Sequence, residues 1–173
     1  MNINPEIQSV AGNHSRSPYF LAEHEMLRGQ VRRFVETEIK PHALAWESEG
    51  YVPREVLRRM GSLGFFGIRY PARYGGSEMD TLATVVFAEE LGRSTFGGVA
   101  ITALVHTDMA SVHVFNAGSE AQKDKWMPRI VSGEAITAVA VTEPDAGSDV
   151  KGIRTVARRD GDSYVLDLSL IHI

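Results

Sequence analysis

Residues 140–149 read Ala140-Val141-Thr142-Glu143-Pro144-Asp145-Ala146-Gly147-Ser148-Asp149, and the reading of the whole chain turns on them. An apolar run over residues 135–141 leads into this stretch and predicts a short buried strand. Pro144 and Gly147 then interrupt regular structure. Two hydroxyls, Thr142 and Ser148, and three carboxylates, Glu143, Asp145 and Asp149, crowd around the break. Gly147 has no Cβ, so a ligand can come close to its backbone, and the hydroxyls and N–H groups beside it can hold an anionic group such as a phosphate. The same residues also compose an ordinary turn between strands, which is the simpler account on residue types alone.

Upstream the texture is helical. Pro18 suits a helix start, and Phe20, Leu27, Val31 and Phe34 follow at helical spacing. Pro41 kinks or ends that helix, and residues 42–49 resume it with Leu44 and Trp46 expected to face inward. A second helix opens at Pro53 and runs through Val56, Leu57 and Met60. Residues 70–76 are a loop by composition. A third helix covers residues 81–91 with Gly92 near its C-terminal cap. Residues 99–115 are apolar nearly all round, which predicts a helix at the centre of a bundle. Ser119 and Gln122 form a capping box for the next helix, in which Pro128 forces a break or a new first turn before Gly133 ends the helical part. Trp46 and Trp126 are expected in the core or between helices.

Downstream, residues 154–158 and 164–167 are strand-like, with a hairpin turn at Asp160-Gly161-Asp162. The expected fold is therefore mainly α, an N-terminal helical bundle followed by the first strands of a β-barrel-like middle domain. Residues 1–18 are polar and without periodicity, and are expected to be a disordered tail.

Composition narrows the function classes. The 173 residues are 43% hydrophobic and 23% charged, within the globular range, and the net charge of −4 is spread over both signs without a nucleic-acid footprint. There is no cysteine, which excludes a disulfide framework, a thiolate zinc site and a cysteine nucleophile. No apolar run approaches bilayer-spanning length, and no signal core or Arg-rich leader opens the chain, so the expected location is the cytoplasm. His106, Asp108 and His113 do not make a metal set, because the two histidines lie two helical turns apart. The basic pairs Arg32-Arg33, Arg58-Arg59 and Arg158-Arg159 read as solvated surface.

The ten residues 140–149 resemble the signature of the acyl-CoA dehydrogenase family, a small residue followed by Val-Thr-Glu-Pro-x-Ala-Gly-Ser-Asp. Asp145 stands where many relatives have glycine, and residues 70–76 lack the family's usual acidic residue near Ala72 and Arg73. The resemblance implies a helical N-terminal domain over residues 19–134 and the start of the middle β domain over residues 135–167. It implies FAD as cofactor, an acyl-CoA thioester as substrate, a homotetramer, and an electron-transferring flavoprotein as acceptor. Val139, Ala140, Val141 and Thr142 would then lie along the flavin, Gly147 and Ser148 near its pyrophosphate, and Ser148 also near the acyl-CoA. Glu143 and Asp149 are expected to shape the loop. The family's catalytic base is a glutamate of a C-terminal domain, so no catalytic residue is named here. The segment Trp46-Glu47-x-Glu49-Gly50-Tyr51-Val52-Pro53 leans toward a long-chain-like bacterial branch. A flavin-dependent monooxygenase of the same fold and a non-catalytic helical interaction domain are the rival readings.

Residues 168–173, Leu-Ser-Leu-Ile-His-Ile, equal the translation of the end of a common transposase sequencing adapter, CTG TCT CTT ATA CAC ATC. They are expected to be adapter-derived, with Asp167 a junction residue and a gene that continues; such a fragment is expected to be inactive alone.

Overall fold

The computed structural model describes residues 18–171. Of the tail expected over residues 1–18, residues 1–17 lie outside the described residues, as do His172 and Ile173. The chain divides into two compact units, Met1–Thr137 and Ala138–Ile173.

The first unit is helical. Helix α1, Ala22–Phe34, buries Leu27, Val31 and Phe34 as one stripe and continues through a π-helical turn, Val35–Ile39, that buries Val35 and Ile39. It starts later than Pro18 because its first turn is closed by His24, whose Nδ1 accepts the Leu21 N–H at 2.9 Å; Pro18 falls in a turn before it. Short α2, Ala43–Glu49, buries Trp46 but leaves Leu44 87% exposed, against expectation. Two residues on a helix point about 200° apart, so both cannot face the core. Helix α3, Arg54–Ser62, buries Leu57 and Met60, and α4, Thr81–Gly92, buries Ala83, Val86, Phe87 and Leu91. Asp80 caps α4, accepting the Ala83 N–H at 3.1 Å, while its carboxylate also holds His24 Nε2 at 2.8 Å, so one pair fixes the starts of α1 and α4. Between α1 and α4 the rings of Phe34, Phe65 and Phe87 contact in sequence at 5.6 and 5.8 Å. Each such buried phenylalanine contributes roughly 2–3 kcal/mol of burial energy.

A charged clasp ties the same two helices. Glu90 of α4 is 1% exposed, yet it accepts two hydrogen bonds from Arg32, at 2.9 and 2.7 Å, and one from Arg28 at 3.2 Å. Arg32 lies on the surface, 47% exposed, as its sequence context implies, but its guanidinium is engaged by a buried carboxylate.

Helix α5, Gly97–Leu104, a π-helical stretch, Val105–Ala110, and helix α6, Ser111–Ala117, follow one another without a break. Contrary to expectation this helix is only half interior: Ile101 is 57% and Met109 52% exposed. By length and composition alone Gly97–Ala117 is also long and apolar enough to cross a bilayer, contrary to the expectation that no run reaches that length. His106, Thr107 and Ser111 turn inward, whereas His113 and Asn116 are exposed. In the π-helical stretch the Ser111 N–H reaches back to the His106 carbonyl, and the Thr107 carbonyl accepts from the hydroxyls of Tyr70 and Ser111 at 3.1 Å each. Helix α7, Glu120–Val131, carries the capping box predicted at Ser119 and Gln122. Pro128 does not break it: the lost hydrogen bond is outweighed by burial of Met127, Ile130 and Val131 on the same turns. Trp126 lies outside the core, 38% exposed, with Lys125 and Arg129 each 5.2 Å from its ring centre. Gly61 lets α3 meet the end of α7, since a Cβ there would fall 2.2 Å from the Ser132 carbonyl oxygen.

The second unit holds one antiparallel hairpin, β1, Val156–Asp160, and β2, Ser163–Asp167, paired from Val156↔Asp167 to Asp160↔Ser163 around Gly161, whose φ is +57°. Arg158 pairs with Asp167 across it. The described residues are thus mainly α, a helical bundle followed by the first strands of a β domain.

Candidate functional site

The loop is built from Glu143 outward. Glu143 and Ala146 exchange backbone hydrogen bonds, N–H to carbonyl at 2.9 and 3.2 Å, so that Pro144 and Asp145 form a two-residue turn. The Glu143 side chain is buried and accepts from the Arg154 N–H at 2.7 Å, the Thr155 N–H at 2.8 Å and the Thr155 hydroxyl at 2.6 Å. The Thr155 hydroxyl, then the Arg154 N–H, hold its carboxyl below the ordinary value. Glu143 is thus an acceptor that pins the turn to the segment entering β1. Asp149 plays a similar local part, accepting the Lys151 N–H at 3.2 Å, and Asp145 pairs with Arg154 at 3.3 Å.

Residues 135–141 do not form the buried strand expected of them. They join no sheet and have no ladder partner, and Val141 is 38% exposed. Apolar sequence makes a strand only where a neighbour offers N–H and C=O groups, and the hairpin partners of this unit pair with each other. Val139, Ala140, Val141 and Thr142 form the arm entering the turn, and Gly147 and Ser148 the arm leaving it. The Glu143↔Ala146 bridge folds these arms back, so Thr142 and Gly147 flank its two ends. Thr142, Gly147 and Ser148 are all exposed. Among the described residues, the Thr142 and Ser148 hydroxyls have no hydrogen-bond partner, while the Thr142 carbonyl accepts the Ile171 N–H at 3.0 Å. At Gly147 a Cβ would meet nothing within 4 Å and φ is not positive, so the fold of the chain itself does not require glycine there. Close approach of a ligand to the backbone is the remaining physical use of such a glycine. This donor set, two free hydroxyls beside bare backbone, fits a phosphate-bearing cofactor such as FAD. A hollow of about 290 Å³ beside Pro144, Asp145, Arg154 and Leu168 contains none of the six candidate cofactor residues.

Two residues outside the loop hold the backbone upstream and downstream of it. His106 is 1% exposed, with Nε2 3.1 Å from the Ile130 carbonyl and Nδ1 accepting the Thr137 N–H at 3.0 Å. Burial holds its pKa below the ordinary value. Thr155 supplies the second anchor of Glu143. The signal for His106 was a polar residue in an otherwise apolar helix; Thr155 carried none.

Residues 22–134 match the sequence profile described as "Acyl-CoA dehydrogenase, N-terminal domain". The chain belongs to the acyl-CoA dehydrogenase family. It is 38% identical over 154 residues to the mouse mitochondrial long-chain specific acyl-CoA dehydrogenase, covering 89% of this chain and 35% of the relative. Its fold is similar to the crystal structure of an acyl-CoA dehydrogenase from Geobacillus kaustophilus, with a TM-score of 0.81, 40% identity and coverage of 87% of this chain and 39% of that one. It is also similar to an acyl-CoA dehydrogenase complexed with FAD from Bacillus anthracis, with a TM-score of 0.80, 34% identity and coverage of 86% and 26%. The chain thus spans well under half the length of these relatives.

Proposed function

We propose that the protein carrying this chain is an FAD-dependent dehydrogenase that desaturates an acyl-CoA thioester between Cα and Cβ. One observation carries the reading: the Glu143-anchored turn offers the Thr142 and Ser148 hydroxyls and the bare Gly147 backbone outward, with no internal task for any of the three. Val139 to Thr142 would lie along the isoalloxazine, and Gly147 and Ser148 would hold the pyrophosphate, Ser148 also reaching the acyl-CoA. The flavin, when bound, supplies the hydride acceptor. The chain's part is to bind and orient it, through donors that stay fixed because Glu143 holds the turn. The long-chain relative and the Trp46–Pro53 segment favour a fatty acyl substrate, as part of fatty acid β-oxidation. A homotetramer, a flavoprotein electron acceptor and a cytoplasmic location complete the proposal.

The test uses the glycine. Gly147→Val adds a side chain into open space, so the melting temperature should hold while FAD affinity falls by about tenfold or more. Unchanged FAD affinity in this variant, or a wild type that takes up no flavin, overturns the reading.

A further inference from the structure

The arm that enters the loop is held by few contacts, among them the packing of Ile136 against the hydrophobic core. Ala135 donates its N–H to the Arg129 carbonyl at 2.9 Å, and Glu143 is fixed by the turn. Over residues 136–142 the hydrogen bonds among the described residues are those between Thr137 and His106, together with the Ile171 N–H on the Thr142 carbonyl. The Thr137 N–H donates to His106 Nδ1 at 3.0 Å, its Oγ1 lies 2.9 Å from the same nitrogen, and its hydroxyl donates to the His106 carbonyl at 3.1 Å. We infer that His106 is a positioning residue for the flavin loop, fixing through Thr137 the point from which the chain leaves for Val139–Thr142; this rests on the flavin reading above.

The tautomer follows from the partners. A carbonyl only accepts, so the Nε2 that faces the Ile130 carbonyl at 3.1 Å carries the hydrogen. Nδ1 is then a lone pair, free to accept the Thr137 N–H. The edge-to-face contact with Phe66, centroids 4.5 Å apart, fixes the plane of the ring. Neutral imidazole can accept from an amide at one edge while donating to a carbonyl at the other; the cation would set N–H against N–H at Thr137. The clasp therefore ties three separate segments, the π-helical stretch, the end of α7 and the arm at Thr137, through one side chain.

The two amides nearest in shape to histidine separate the two bonds. In His106→Asn the Oδ1 takes the place of Nδ1 and can still accept from Thr137. In His106→Gln the amide N–H₂ takes the place of Nε2 and can still donate to Ile130, but the Thr137 N–H loses its acceptor. Both lose the ring contact with Phe66, so both should lower the melting temperature alike. In the full-length gene product, stripped of flavin and titrated with FAD, His106→Asn should stay within about threefold of wild type, and His106→Gln should bind about tenfold more weakly or worse. Thr137→Pro removes both Thr137 donors, the N–H and the hydroxyl, and should weaken FAD binding at least as much as His106→Gln does. Amide exchange at Thr137 should be protected in wild type and His106→Asn, and fast in His106→Gln. Equal weakening by the Asn and Gln variants, or a Thr137→Pro protein with wild-type affinity, overturns the inference while leaving the flavin reading in place. A wild type that takes up no FAD overturns the flavin reading and the inference with it.

Discussion

Replacing Glu90 tests how the helical unit is held. Its carboxylate is buried between α1 and α4, bidentate to Arg32 and within 3.2 Å of Arg28. Glu90→Gln keeps one acceptor oxygen but turns an amide N–H₂ toward guanidinium N–H groups, donor against donor. A hydrogen bond between charged groups is worth about 1.5–3 kcal/mol. Arg32 is 47% exposed and can turn to water, which brings the expected loss to about 2 kcal/mol. Glu90→Ala adds a cavity and should cost about 3 kcal/mol, the low end for breaking a buried pair. Glu90→Met, filling the same space with an apolar chain while both arginines move outward, should stay within about 1 kcal/mol of wild type.

At this chain length, about 2 kcal/mol corresponds to a fall in Tm of about 4–8 °C for Glu90→Gln. Acidity supplies an independent check. Burial raises the Glu90 pKa, but the bonds from Arg32 and Arg28 outweigh it, and the folded value lies below the ordinary 4.5. A carboxyl with a depressed folded pKa contributes its full stability above the unfolded value and loses it as pH falls through the folded one. The Tm gap between wild type and Glu90→Gln should therefore be constant from pH 6 to 8, on the order of several degrees, and close below about 4.5. A gap that survives at lower pH, or a Glu90→Met protein less stable than Glu90→Gln, refutes the argument that the loss in Glu90→Gln comes from a mismatched buried polar contact that a well-packed apolar chain would avoid.

Gly61→Ala drives a Cβ against the Ser132 carbonyl, a backbone atom that cannot rotate away, and should cost about 3 kcal/mol in urea unfolding, whereas Gly29→Ala, with nothing within 4 Å, should be neutral or stabilising by up to about 1 kcal/mol. Glu143→Gln should speed amide exchange at Arg154 and Thr155 and weaken FAD uptake; in wild type, protection at Thr155 should be lost as pH falls below the ordinary carboxyl value of 4.5, because the carboxylate accepts all three bonds.

Periodicity reported what periodicity can. The stripe Leu27, Val31, Phe34 and the Ser119–Gln122 box are local patterns, and both stand in the structure. Leu44 was missed on local helix geometry; the other misses depended on a partner distant in sequence. The burial of Glu90 has no local signal, because Arg28 and Arg32 are brought to it from α1. Residues 135–141 have the composition of a strand, but composition supplies no ladder partner. Ile101 and Met109 lie on a helix apolar enough for a bundle centre, yet the bundle has neighbours on only part of its circumference.

The loop shows how two readings that compete on residue types coexist in space. Its residues divide by whether the chain uses them. Glu143, Ala146 and Asp149 spend their polar groups internally, on Arg154, Thr155, Lys151 and each other. Thr142, Gly147 and Ser148 spend none of their side-chain or conformational freedom internally. An ordinary turn needs only the first group; a phosphate cradle needs the second held still by the first. A carboxylate that closes the turn from inside, as Glu143 does, leaves the hydroxyls free to face outward, so the turn reading and the cradle reading describe the two sides of one loop. His106 extends the same logic one step upstream. Its partner Thr137 is 31 residues away, which is why the histidine's place in the helix gave no hint of what it holds.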